Sequence, residues 1–143
     1  MIRGRIDISR DLDGEVVVLA CIDLADEEIR ASAYAVRAFI EERFRVPAIS
    51  SDDVVELREL TGLADELGEP GPEGAARTVV LKPARLNLYR DALAGFVDSR
   101  DEAEWLREDD REALARAREL LPALGDLSEE ALRAALSPVS HGR

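Results

Sequence analysis

Two acidic doublets, Asp52-Asp53 and Asp109-Asp110, are the residues whose type and spacing first suggest chemistry. Brought together, four carboxylates would supply the oxygen ligands that Mg²⁺ or Ca²⁺ requires. Each doublet also stands where a helix should begin, and there the helix dipole alone favours negative charge by about 0.3–1 kcal/mol. Helix-start chemistry explains the same residues without a metal, and no EF-hand loop tips the balance. No cofactor is expected.

Arg43 and Arg100, with Glu41 and Asp98 close by, form a second candidate set. A guanidinium grips a carboxylate or phosphate through two parallel hydrogen bonds, so the two arginines could clamp an anion. The plainer reading places each in a last helical turn, neutralising the carbonyl end. Trp105 lies among charges in "RDEAEWLREDD". It either covers a helix junction, the simpler account, or anchors a partner, since interface hot spots favour tryptophan. The aromatics Tyr34, Phe39, Tyr89 and Phe96 fall at helical spacing and read as packing.

Other chemistries lack their residues. Cys21 is the only cysteine and His141 the only histidine, the latter in the tail "SPVSHGR". An internal disulfide, a Cys/His zinc site and a Ser-His-Asp triad are thereby excluded. "GEPGPEG" has prolines where a phosphate-cradling loop needs free N–H groups. With 31 acidic against 19 basic residues the net charge is −12, which repels nucleic-acid phosphates and anionic lipid. The longest apolar run, Val16 to Ile22, is too short to span a bilayer, and no signal-peptide pattern precedes it. A cytoplasmic protein is expected.

The elements that must position these residues follow from a repeat. Sliding residues 22–68 onto 79–125 aligns Leu24 with Leu81, Ala35 with Ala92, Phe39 with Phe96 and Arg43 with Arg100. The same shift aligns both Asp doublets, Leu57 with Leu114, Leu63 with Leu120, Leu67 with Leu124 and Gly68 with Gly125. Most of these are positions that a buried face needs. Each copy, about 16–68 and about 77–125, reads as strand, helix, helix. "EVVVLACIDL" and "RTVVL" are the strands, and Gly68 and Gly125 stand where left-handed caps close helices. Pro122 should kink or end the last helix of the second copy.

A further strand over residues 1–9 turns at "DLDGE" into the first copy. A short helix over 128–137, capped by Ser128, follows the second. Residues 138–143 read as a disordered tail. The expectation is one α+β domain over 1–137, helix-dominated, with its two units about a pseudo-two-fold axis. The sheet is small and antiparallel, of two or three strands.

For function, the leading expectation is a non-catalytic acidic interaction or regulatory module, self-associating or bound to a protein partner. The alternative is a carboxylate-based, divalent-metal-dependent enzyme or small-molecule binder with its site on the pseudo-two-fold axis. A third reading, an acidic mimic of nucleic acid, fits less well because arginines interleave the acids.

Overall fold

The computed structural model describes residues 3–45, 50–68, 77–101, 103 and 105–136. Three strands, β1 (Arg3–Arg10), β2 (Val16–Leu24) and β3 (Arg77–Leu81), form one antiparallel sheet in the order β1-β2-β3. Four helices dominate the chain: α1 (Asp26–Arg43), α2 (Ser51–Gly68), α3 (Pro83–Asp101) and α4 (Glu108–Leu136). The molecule is α+β with a small antiparallel sheet.

Strand β2 is central because it is apolar on both faces, and the alternation divides it between two surroundings. Val18, Ala20, Ile22 and Leu24 turn towards the helices and are buried. Cys21 turns the other way, yet it is only 4% exposed, and its thiol donates to Asp7 Oδ2 at 3.2 Å. The β1–β2 hairpin turns at Gly14, whose φ of 81° suits glycine. Asp11 Oδ1 accepts the N–H groups of Asp13 and Glu15, each at 2.9 Å, and so fixes the turn. In the β2–β3 pair, Ala20 faces Leu81, Ile22 faces Val79 and Leu24 faces Arg77.

Helix α1 packs against the other three helices, while α3 and α4 also touch the sheet. Its buried stripe of Ile29, Ala33, Val36 and neighbours meets Leu86, Leu93 and Phe96 of α3. Small side chains set the approach: a Cβ on Gly95 would stand 2.5 Å from the ring of Phe39. Leu60, Leu63 and Leu67 of α2 complete the core with Leu114, Leu120 and Leu124 of α4. In its middle, Ser32 and Tyr89 are fully buried and share a hydrogen bond of 2.5 Å.

Several expectations are corrected. The short helix at 128–137 is not separate, because α4 runs unbroken from Glu108 to Leu136 through Pro122 and Gly125. Pro122 removes one backbone donor, but the apolar stripe continues past it through Leu124, Leu127 and Ala131, all buried. Burial of that stripe outweighs the break. Ser128 is therefore a buried residue inside α4, in hydrogen-bond contact with Asn87, rather than an N-cap. Gly14 is the only described residue with positive φ, so neither Gly68 nor Gly125 is a left-handed cap. The loop after Gly68, Pro47, Ser137, and the tail 138–143 with His141 lie outside the described residues.

Candidate functional site

The two acidic doublets occupy the first turns of α2 and α4. Asp53 is engaged by its own helix start: its N–H donates to Ser50 Oγ at 3.2 Å while its Oδ2 accepts the Ser50 N–H at 3.2 Å. This reciprocal box satisfies two donors that the helix leaves open. Hydrogen bonding from the Ser50 backbone, then its hydroxyl, with Arg43 nearby, holds the Asp53 carboxyl below its usual range. Asp110 accepts the Tyr34 hydroxyl at 2.7 Å and lies 3.8 Å from Arg100. That hydrogen bond, followed by burial and the Asp110 charge, raises the Tyr34 phenol. Asp52 and Asp109 are exposed. Among the described residues, no group of three or more Asp, Glu, His or Cys converges as a metal site would require.

The arginine candidates part company. Arg43 reaches Asp53 at 3.3 Å and Glu56 at 3.5 Å, tying α1 to α2, and lies over the Phe44 ring. Arg100, with its side chain only 17% exposed, stacks on Phe96 with 4.5 Å to the centroid. It contacts Glu42 and Ser99 as well as Asp110. Asp98 is exposed.

Arg100 also lines a cavity of about 480 Å³ that sequence reading did not anticipate. Its walls are Arg30, Tyr34, Arg37, Ala38 and Glu41 from α1, with Arg100, Arg107 and Asp110. Spacings of three and four residues put the α1 members on one helical face. A second, smaller cavity of about 240 Å³ shares Arg30 and Tyr34 with it and is otherwise lined by Glu27, Ala31, Asp109, Glu112 and Ala113. The Arg30-Tyr34-Arg37 spacing is visible in the sequence. That Arg100 and Arg107 join it depends on where the end of α3 and the start of α4 sit.

Trp105 is not core. It is 74% exposed on the connection between α3 and α4, because α3 ends at Asp101 rather than continuing through it. Cys21, beneath Asp7, has its thiol pushed up by burial first, then by the hydrogen bond to Asp7, and is poorly suited to nucleophilic work. No helix among the described residues is long and apolar enough to cross a membrane.

Comparison with protein-family models, with curated proteins and with solved structures yields no match.

Proposed function

We propose that this protein is a non-catalytic interaction module that docks on a protein partner through Trp105. The observation that carries this reading is the 74% exposure of Trp105, the largest side chain type, on a connection between two core helices. Leaving an indole in water forgoes the burial that folding otherwise rewards. Tryptophan is also the residue most enriched among interface hot spots. The net charge of −12 favours a partner with a basic surface around a pocket for the ring.

The scaffold in this reading is duplicated about a pseudo-two-fold axis through the Ile22–Val79 pair. The β2–β3 register supports it: exchanging the halves maps Ala20–Leu81 onto Leu24–Arg77 and Cys21–Val80 onto Asp23–Thr78. Ser32 and Tyr89, joined by their hydrogen bond, are equivalent positions under the same exchange. The Arg43–Asp53 ion pair corresponds to Arg100–Asp110. An experimental structure with the β2–β3 register shifted by one residue would remove this axis. Trp105 stands where the first half has Ala48, so the duplication supplies one anchor and not two.

As the chain's only tryptophan, Trp105 reports its own burial through its fluorescence. A protein captured from the host by the wild type is titrated against wild type and Trp105→Ala. Removing a hot spot should weaken the complex by about thirtyfold or more and abolish the blue shift in emission. Equal affinity for both forms would overturn the reading. Light scattering that shows an oligomer dissociated by the same substitution would assign the anchor to a second copy of this chain instead.

A further inference from the structure

We infer that the 480 Å³ cavity between α1 and the start of α4 binds a small phosphate monoester, held by Arg37 and Arg107. This site is separate from the role given to Trp105 and stands on different residues.

The argument begins with charge. In a chain carrying −12, four arginines line one cavity against two carboxylates, Glu41 and Asp110. Two of these arginines are already matched: Arg30 pairs with Asp26 at 2.7 Å, and Arg100 with Glu42 and Asp110. Arg37 and Arg107 have no carboxylate within 4 Å among the described residues, although the Arg37 guanidinium rests against Gly68 at the end of α2. Both are exposed and on long stems. Elsewhere Arg43, Arg85 and Arg118 pair with acids, whereas Arg10, Arg58 and Arg111 form no ion pair among the described residues; what sets Arg37 and Arg107 apart is that they line the same cavity. Among the described residues, Arg37 and Arg107 thus bring two guanidinium groups outside any ion pair to one concavity.

Ligand class follows from what the walls offer. Two planar guanidinium forks match the three oxygens and near-double negative charge of a phosphate monoester at neutral pH. Tyr34 gives its hydroxyl to Asp110, so its ring, not its oxygen, is what it presents to a ligand, and Ala38 adds a short apolar wall. The room exceeds what a bare phosphate fills, which leaves space for the organic group of an ester. Arg100 is pinned by Phe96, Glu42 and Asp110 and acts as a fixed positive wall. Glu41 opposes the anion.

The test uses the whole chain and calorimetric titration at constant ionic strength with three probes: phenyl phosphate, inorganic phosphate and succinate. Phenyl phosphate should bind saturably and most tightly. Arg37→Gln with Arg107→Gln should weaken it about tenfold or more, as loss of charge-assisted hydrogen bonds does. Glu41→Gln should tighten it, and Arg43→Gln, away from the cavity, should leave it unchanged. Circular dichroism verifies that each exposed-residue variant is folded. Three results would each overturn the inference: no saturable binding of phenyl phosphate at millimolar concentration, equal weakening by Arg43→Gln, or succinate binding as tightly as the ester.

Discussion

Tyr89 and Ser32 show how much a single hydroxyl can matter. Burial pushes the Tyr89 phenol far above its usual value, and its oxygen and that of Ser32 satisfy one another in the core. Tyr89→Phe leaves the Ser32 hydroxyl buried without that partner, an expected loss of about 1–3 kcal/mol. Removing both hydroxyls should cost less than the sum of the two single changes. A double-mutant cycle from denaturant unfolding measures the difference. At the start of α2 the sign of a pH effect can be worked out. The Asp53 carboxyl is depressed in the folded state, so its contribution is complete above the ordinary carboxyl range and disappears as pH falls through its folded value. Ser50→Ala keeps the backbone N–H, the larger cause, but removes the hydroxyl, the second cause and the other half of the box. The melting-temperature gap between wild type and Ser50→Ala should therefore narrow below about pH 4.

At the scale of elements, Pro122 is a defect that tertiary packing carries. Its side is exposed, while Leu120, Leu124 and Leu127 around it are buried. Pro122→Ala restores a backbone donor inside α4, and a gain of about 1–3 kcal/mol in unfolding free energy is expected. Gly95→Val has the opposite sign. Its Cβ would enter the space of the Phe39 ring, and the α1–α3 contact should lose about 1–3 kcal/mol. Thermal melts of both variants check these expectations.

Pro122 and Gly125 mark what could be read from the chain beforehand. Strands β2 and β3 and the starts of the helices were legible, because apolar β-branched runs, the acidic first turns and Pro83, a proline suited to the first position of α3, act locally. The continuity of α4 was not. Propensity at Pro122 and Gly125 argues for a stop, and only the burial of Leu127 and Ala131 reverses it. Arg100 was visible as a candidate through its match with Arg43, and Trp105 through its setting among charges. The cavity needed four arginines from three segments, and no spacing in the sequence brings Arg107 to Arg37.

For the molecule as a whole, a net charge of −12 means that repulsion is spread over a surface already using its arginines in pairs. Raising salt from about 0.01 M to about 1 M shortens the Debye length from about 30 Å to about 3 Å. Screening of the excess charge should outweigh the weakening of exposed ion pairs, which contribute little each. The melting temperature should rise with sodium chloride; a fall would show that the ion pairs govern.

Gly4 and Leu127 lie so close that a methyl on the glycine would strike the leucine side chain. One residue sits in β1 and the other in α4, so this strand is clasped by a segment that lies far along the chain from it. During synthesis β1 can zip onto β2 early, but its far side has no cover until the ribosome has released the chain beyond Leu127. Because it joins segments far apart in the chain, the clasp is expected to close later in folding than the local β1–β2 hairpin.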